Sequence, residues 1–462
     1  MCDTADSYKL GLAGEPSRDA RSERLIFGLT VVAVGLLMSL SARAQFVAGE
    51  WVTRGEAAVQ QYRMNRVEFL VLDAEGRLAE GASVRMQQQR HTFELGFVWH
   101  KSAGADLASD ESSPASGEAS AELWRVINAV SLDPVSGWRT LQPTAGEWSA
   151  EPLESAMDRA AARGWSIRWG VLIEEDAFGL PEWVVPLRGP ALYDAGSAQL
   201  SEALSRYGDR LAGLDLLRPV VTAEGLTYLR VDAAMLHAWA RQARFKSHAE
   251  AVDVGSGPPR FTLRLDHALQ GSESFDVLRA LDTAVAQRFP IDGFTVSQRF
   301  GPRAIRQEDL EPAIRRLAKF GKPLIVAGLE VGGSNAIEAA GNVETVLRTL
   351  FAEPMVRGVY FAGLREGEVV DPSAALLDDE GRATASGRVV DRLFAENWWS
   401  DETLHSDDLG RASARVFRGD YRVTVTWRDG TEHVFNLRVH GDLVGDREVI
   451  VMPIADAAVS GE

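Results

Sequence analysis

The sequence predicts an α/β fold, a (β/α)8 TIM barrel with an N-terminal β-hairpin module and a small C-terminal antiparallel β-module. Three observations predict it. Eight short apolar runs alternate with amphipathic segments in the middle of the chain, alternating apolar and polar residues precede these runs, and hairpin patterns follow them. Strands that alternate with helices form parallel sheets, and eight such strands favour a closed barrel.

The N-terminal residues have the pattern of an export signal. Basic residues precede an apolar run at 25–40, and Ala42-Arg43-Ala44 follows it. The pattern predicts a signal peptide over residues 1–44 and an exported protein of the periplasm, the cell surface or the extracellular space. Two alternatives are an uncleaved anchor, which alone would bring a membrane contact, and a start codon assigned too far upstream. The one cysteine, Cys2, precedes the apolar run, so the mature protein would contain neither disulfides nor thiols.

Two regions outside the predicted barrel show the alternation that is typical of strands. In residues 45–92, apolar positions repeat every second residue on both sides of a turn at 73–76, which predicts a β-hairpin or small β-module. In residues 397–462, alternating segments and two turns predict an antiparallel β-module. Its strand segments are 412–417, 421–427, 433–439 and 448–452. A stretch at 102–122, rich in small and acidic residues, predicts a mobile loop.

Residues 93–396 form the predicted barrel domain. Its strand-length apolar runs lie at 93–98, 127–131, 167–173, 211–217, 261–265, 291–297, 323–329 and 359–362. Its amphipathic helical segments lie at 153–162, 200–207, 275–289, 310–320 and 343–351. Function in such barrels belongs to the C-terminal ends of the strands, so the residues that end each run are the candidates for a site.

Composition and motifs exclude several classes of function. The formal charge of −17 disfavours a phosphate-binding surface and a nucleic-acid partner, and it favours either a neutral or cationic partner or simple solubility. The eight histidines show no metal-ligand spacing, and the chain contains no glycine-rich phosphate loop and no basic-aromatic patch. The sequence therefore predicts neither a cofactor nor a metal site, and it predicts no particular oligomeric state.

The stretch from Asn128 to Gly146 carries the most specific motif. With Asn128, Trp138, Pro143 and Gly146 in their spacing, it resembles the second strand of glycoside hydrolase family 10, the endo-β-1,4-xylanases. Further segments resemble the same family in the same order, at 93–96, 180–184 and 290–294. The resemblance covers residues 65–427 and implies a barrel whose partner is a polysaccharide or an oligosaccharide.

The same resemblance places both catalytic positions on residues that cannot act as acids or nucleophiles. The acid/base glutamate of the family corresponds to Pro219, after the fourth strand, and its nucleophile corresponds to Gly328, on the seventh. Retaining glycosidases need one carboxyl group to protonate the leaving oxygen and a second, about 5 Å away, to attack the anomeric carbon. The sequence therefore predicts that these positions no longer support the family reaction.

Other carboxylates near the predicted strand ends are candidates for a relocated catalytic pair. Glu330 lies two residues beyond Gly328, and side chains two apart on a strand face the same way. Glu224 and Glu174 follow the fourth and third predicted strands. The alternative is that these side chains are solvated or salt-bridged acids of the barrel rim, which a chain with 66 acidic residues supplies without any functional reason.

Candidates for sugar binding replace or match family positions at the predicted barrel mouth. They are Trp138, Asp133, Arg218, Arg299 and Asp266. Trp138 offers a flat face that suits a sugar ring, or it fills the interface between barrel and helices. Arg218 and Arg299 suit an acidic sugar, or they pair with Asp215 or Glu330.

Three hypotheses about function follow. The first is an exported, catalytically degenerate family 10-like barrel that binds a carbohydrate or serves as a scaffold between its β-modules. The second is an active glycosidase with relocated carboxylates. The third is a structural envelope protein that retains the barrel only as a stable body. Fold resemblance alone does not transfer activity, so the geometry of the mouth decides among them.

Overall fold

The computed structural model describes residues 54–100, 123–174, 179–218, 220–222, 225–227, 233–254, 259–269, 291–440 and 447–451. The chain divides into two compact units, residues 1–57 and 58–462. Of the first unit only residues 54–57 are described, and they are helical. The expected signal peptide, Cys2, the loop at 102–122 and the helix at 275–289 lie outside the described residues. None of the described helices is long and apolar enough to cross a membrane.

The second unit contains strands and helices with the following bounds. The strands are β1 (Met64–Val71), β2 (Ser83–His91), β3 (Glu94–Val98), β4 (Ala129–Ser131), β5 (Ser166–Glu174), β6 (Gly213–Arg218), β7 (Val220–Thr222), β8 (Gly225–Thr227), β9 (Arg260–Asp266), β10 (Gly293–Phe300), β11 (Leu324–Val331), β12 (Val356–Phe361), β13 (Asp401–His405), β14 (Arg411–Phe417), β15 (Gly419–Thr426), β16 (Glu432–Val439) and β17 (Arg447–Val451). The helices that accompany them are α1 (Asp133–Ser136), α2 (Trp138–Leu141), α3 (Glu151–Ala162), α4 (Gly189–Tyr207), α5 (Ala233–Val254), α6 (Gln307–Ala318), α7 (Ala336–Ala352) and α8 (Ala385–Asp391).

Eight of these strands close into a parallel barrel in the order β3, β4, β5, β6, β9, β10, β11 and β12, and β12 pairs back to β3. Each coincides with one of the apolar runs in the sequence, so the predicted (β/α)8 barrel is confirmed. Outward-facing residues such as Leu95 and Phe97 pack in the main hydrophobic core. Parallel strands covered on both faces are apolar along most of their length, which is why these runs stand out in the sequence.

The other long strands form a β-sandwich. One sheet has the order β14, β1, β17, and the other has the order β13, β2, β15, β16. Apolar residues of both sheets, among them Phe69 of β1, Met86 of β2 and Val423 of β15, share one buried core. The strands that precede the barrel in the sequence therefore share their sheets with the strands that follow it.

β1 and β2 differ from the expected hairpin because they do not pair along their length. β1 pairs with β14, with Phe69 opposite Ala412, whereas β2 pairs with β13 and β15. An isolated bridge between Leu72 and Leu78 closes the turn between them. Each strand has one apolar face, and placing the strands in opposite sheets turns both faces toward the same core. A two-stranded hairpin would leave that surface in water.

β13 is a strand that the sequence did not predict. Its side chains are mostly exposed, and it pairs with β2 at the edge of the four-stranded sheet. An edge strand with a solvated outer face needs no apolar alternation, and polar residues there discourage pairing with other chains.

The sandwich is joined to the barrel at the N-terminal ends of the barrel strands. Arg63, just before β1, donates hydrogen bonds to the main-chain oxygens of Phe351 and Val356, at 2.6 and 2.8 Å. Asn128, just before β4, donates to the main-chain oxygen of His91 at 3.0 Å. The C-terminal ends of the barrel strands therefore lie at the other end of the barrel, which we call the mouth.

Candidate functional site

Charged side chains fill the interior of the barrel toward the mouth. On β9, Thr262, Arg264 and Asp266 alternate with apolar residues that pack outward in the main core. Alternation along the strand sends these three side chains toward the barrel axis. Arg264 is buried there, and so is Asp215 of the neighbouring β6. Buried charges of this kind require partners of opposite sign.

The guanidinium of Arg264 crosses the barrel. β9 is the fifth barrel strand, yet Arg264 Nη1 donates a hydrogen bond to Oδ2 of Asp133, which follows the second strand, β4. Ser131 donates a 3.1 Å hydrogen bond to Oδ1 of the same carboxylate. Burial acts to lower the pKa of Arg264, but the negative charges of Asp133 and Asp215 outweigh burial and raise that pKa. Arg264 therefore remains a cation in the centre of the mouth.

Asp215 links Arg264 to a second buried arginine. Its Oδ1 accepts hydrogen bonds from Arg168 Nη2 at 3.0 Å and from Thr295 Oγ1 at 2.6 Å, and Thr262 also donates to it. Its Oδ2 lies 3.8 Å from Arg264 Nη1. Burial opposes the charge of Arg168, but Asp215 offsets it and the pKa of Arg168 is raised. The barrel interior thus contains a row of side chains of alternating charge, which runs to the mouth through Arg168, Asp215, Arg264 and Asp133.

Gly328, to which the family resemblance assigns the nucleophile position, lies beside this network. Gly328 has φ of 80°, in the left-handed region, where the pairing of β11 with β12 shifts register. A Cβ added to Gly328 would lie 3.1 Å from Ser297 Oγ and 3.4 Å from Arg264 Nη2. A Cβ added to Gly170 of β5 would lie 1.9 Å from Asp133 Oδ1. Asp133 therefore fills the space next to Gly170, whereas Ser297 and Arg264 border the space next to Gly328.

Gly328→Ala is expected to lower the free energy of unfolding by about 1–2 kcal/mol, because a residue with a Cβ is strained at positive φ. The matched control is Gly137→Ala. Gly137 has φ of −63° and nothing within 4 Å of an added Cβ, so its replacement should be neutral or slightly stabilising. Chemical denaturation of both variants measures the difference, and equal effects would contradict the backbone described for Gly328.

Glu330, the first candidate for a relocated acid, is buried and paired. Its side chain is 6% exposed, and its Oε2 lies 2.9 Å from Nε of Arg299, the residue opposite it on β10. Its Oε1 accepts a hydrogen bond from the main-chain N–H of Val370 at 3.2 Å. With both oxygens engaged, Glu330 serves as the counterion of Arg299 and is poorly placed to attack or protonate a sugar.

A second ion pair of the mouth joins β6 to β9. Arg218 Nε donates to Asp266 Oδ2 at 2.5 Å, and both side chains are half-buried. Arg218 thus pairs with Asp266, although the sequence suggested Asp215, which lies deeper and is enclosed by its own partners. Asp133 is also half-buried, and the side chain of Arg299 is 48% exposed. These four predicted sugar-binding residues all reach solvent.

Trp138 is enclosed, in contrast with the expectation of a ring that faces a sugar. It is 1% exposed, and its ring packs edge-on against Trp183 with the centroids 5.9 Å apart. Its Nε1 donates a 3.1 Å hydrogen bond to Gln142. A ring with no solvent-facing side cannot stack on a ligand, so the alternative expectation, a ring that fills the interface around the barrel, describes Trp138.

Three candidate positions are wholly or partly outside the described residues. Pro219 and Glu224 are not described, and Glu174 is described only as the last residue of β5, opposite Arg218 in register. Among the described acids, four near the mouth are each in contact with a guanidinium. They are Asp133, Asp215, Asp266 and Glu330.

Arg168 and Arg264 are the site residues that the sequence analysis missed. Each is a single basic residue inside an apolar run, at 167–173 and 261–265. Strand alternation places both on the inner face of the barrel, and a buried arginine requires a carboxylate. That pattern was a usable signal for buried ion pairs. The partner Asp133, 131 residues before Arg264, could be recognised only from the closed barrel.

Solved structures resemble the barrel closely enough to identify its architecture. Xylanase 10B from Thermotoga petrophila RKU-1, in complex with xylobiose, matches with a TM-score of 0.55 and 14% identity, over 66% of this chain and 95% of that chain. The fold is that of the family 10 xylanases. Xylanase 10B from Thermotoga maritima has a TM-score of 0.54 and 14% identity, over 66% and 97% of the two chains. A family 10 protein from Paenibacillus barcinonensis has a TM-score of 0.53 and 16% identity, over 66% and 95%.

Two relatives are similar in sequence at low identity. The anti-sigma-I factor RsgI6 of Acetivibrio thermocellus is 20% identical over 378 residues, which are 82% of this chain and 47% of that protein. Endo-1,4-beta-xylanase 5 of Arabidopsis thaliana is 19% identical over 429 residues, which are 88% of this chain and 70% of that protein. The chain therefore spans about half the length of the first relative. No family model matches the chain.

Proposed function

We propose that this protein is an exported family 10-like barrel that binds a carbohydrate at its mouth without hydrolysing it. The fold supports a polysaccharide or oligosaccharide ligand, since a xylanase of this fold was solved in complex with xylobiose. One sequence relative is named as an anti-sigma factor, not as a hydrolase, which is in keeping with a binding role. The proposal of export rests on the signal-peptide pattern of residues 1–44.

The observation that carries the loss of hydrolysis is the ion pair between Arg264 and Asp133. The guanidinium of Arg264 lies 3.4 Å from the point where a nucleophile side chain at position 328 would begin. Hydrolysis by a retaining glycosidase passes through an oxocarbenium-like transition state, which carries positive charge on the sugar ring. A fixed cation at that place raises the energy of the transition state. The missing carboxylate and the nearby cation therefore both disfavour hydrolysis.

Carbohydrate binding requires hydrogen-bonding groups at the mouth, whereas hydrolysis also requires a pair of catalytic carboxyl groups. Arg218, Asp266, Asp133 and Arg299 reach solvent at the strand ends and supply charged donors and acceptors for sugar hydroxyls. Arg299 is the most exposed of the four, and a guanidinium carries five N–H donors in a fixed plane. We therefore place the sugar contact on this group and take Arg299 as its most direct test.

Arg299→Gln is expected to weaken glycan binding about tenfold, because one charge-assisted hydrogen bond to the ligand is lost while an amide donor remains for Glu330. Affinity electrophoresis or calorimetry with a panel of soluble β-glycans, including neutral and glucuronic acid-substituted xylan, measures the affinity. The control is Arg422→Gln, an exposed arginine of β15, which should leave binding unchanged. Unchanged affinity in Arg299→Gln would remove the mouth as the binding surface, and no binding to the whole panel would contradict the proposal.

A further inference from the structure

A cavity of about 430 Å³ lies at the end of the barrel opposite the mouth. The N-terminal ends of barrel strands line one side of it, among them Arg260 of β9 and Arg357 of β12. The sandwich lines the other side, with Arg90 of β2 and Arg438 of β16. The volume falls within the range of small-molecule sites, about 300–1,000 Å³. This cavity is separate from the sugar-binding mouth proposed above.

The lining of the cavity is strongly basic. Its arginines are Arg63, Arg90, Arg260, Arg357, Arg418 and Arg438, and its carboxylates are Glu94 and Asp420. Both carboxylates are engaged, since Glu94 accepts a 2.6 Å hydrogen bond from Tyr360 and Asp420 lies 2.9 Å from Nε of Arg438. Positive charge thus dominates this cavity in a chain whose formal net charge is −17. A cavity lined by one sign of charge concentrates ligands of the other sign.

Four of these arginines already have partners: Arg438 pairs with Asp420, and Arg418 Nε donates a 2.9 Å hydrogen bond to Asn65 Oδ1. Arg63 donates to main-chain oxygens next to α7, and Arg90 donates to the main-chain oxygens of Gly164 and Asn128 at 2.6 and 2.9 Å. Arg260 and Arg357 are different. Within the part of the chain that the structure describes, their guanidinium groups make no hydrogen bond or ion pair.

The charges around the cavity also act on one another. Burial, and then the positive charges of Arg357 and Arg418, lower the pKa of Arg63 to about 9. The same repulsion raises the energy of the folded protein, and an anion placed between the arginines would relieve it.

We propose that this cavity binds a small dianionic oxyanion group, the phosphate or sulfate of a small molecule, with Arg260 and Arg357 as its main charged ligands. A guanidinium matches the oxygens of such a group with two parallel hydrogen bonds. A phosphate group carries about −1.5 to −2 charges near neutral pH, which offsets more of the positive lining than a single carboxylate does. The net charge of the chain disfavours a phosphate-binding surface in general, but the field inside a cavity is set by the groups that line it.

Calorimetric titration of the purified protein with inorganic phosphate tests the proposal, with sulfate and glucuronate as parallel arms at matched ionic strength. We expect phosphate to bind, and the double variant Arg260→Met/Arg357→Met to weaken its binding at least about tenfold. The control is Arg303→Met, an exposed arginine after β10 at the other end of the barrel, which should bind phosphate like the wild type. Phosphate should also raise the melting temperature of the wild type and of the control.

The double variant also separates a ligand site from a structural role. Because its two arginines have no described partner and Arg357 repels Arg63, it should melt no lower than the wild type without phosphate. Binding of sulfate in place of phosphate would identify sulfate as the source of the oxyanion. Three results would overturn the proposal: no binding of either phosphate or sulfate, equal affinity of the bound oxyanion for all three proteins, or tighter binding of glucuronate than of both oxyanions. None of these results depends on whether the mouth binds glycans.

Discussion

Asp215→Asn is expected to lower the free energy of unfolding by about 3–5 kcal/mol, which is the usual cost of removing one partner from a buried ion pair. Asp215 is the carboxylate between two buried arginines, Arg168 and Arg264. Asparagine keeps the shape and one acceptor oxygen, so the loss isolates the effect of the charge. Arg168 would then remain buried without the carboxylate that contacts it, and equilibrium denaturation in urea measures the cost.

The matched control is Asp158→Asn. Asp158 also pairs with an arginine, Arg210, at 2.6 Å, but its side chain is 72% exposed. Exposed pairs contribute about 0–1 kcal/mol because water screens them, so this variant should stay within that range. Similar costs for Asp215→Asn and Asp158→Asn would show that the charges inside the barrel do not depend on one another as described.

Phe69→Ala is expected to destabilise the protein by about 3–5 kcal/mol, because it removes a fully buried aromatic ring and leaves a cavity. Phe69 of β1 lies in the sandwich core, opposite Ala412 of β14, and is 0% exposed. The variant tests whether the N-terminal strand is part of a core that it shares with the C-terminal strands. Thermal and denaturant unfolding measure the change.

Phe245→Ala is the control for that variant. The side chain of Phe245 on α5 is 80% exposed, and exposed substitutions usually change stability by less than about 0.5 kcal/mol. If Phe69→Ala were as mild as Phe245→Ala, the N-terminal strand would not belong to the shared core.

The barrel could be predicted from the sequence because each of its strands is recognisable from a short run of consecutive residues. Each barrel strand is an apolar run such as 323–329, covered on both faces, and each is separated from the next by a helical pattern or a loop. The sandwich was harder because its pairing is not local. β1 carries the alternation of a strand, but its partner β14 lies more than 300 residues further along the chain. The sequence favoured a local hairpin with β2 instead.

Some features of the candidate site could likewise be predicted from the sequence, whereas others could not. The assignment of the two family catalytic positions to Pro219 and Gly328 rests on motif spacing alone and stays a prediction. The proximity of Arg264 to Gly328 could not be predicted, because the two residues lie on different strands, β9 and β11. The sequence also does not show which side chains reach solvent, and the burial of Trp138 is the clearest case.

The most direct test of the central claim is the release of reducing ends from soluble xylan, measured together with xylan binding on the same protein sample. We predict binding with no release above the blank, since the carboxylates described at the mouth are paired with guanidinium groups and Arg264 lies 3.4 Å from the point where a side chain at position 328 would begin. Turnover that is abolished by Glu330→Gln would contradict this account and identify a relocated catalytic acid.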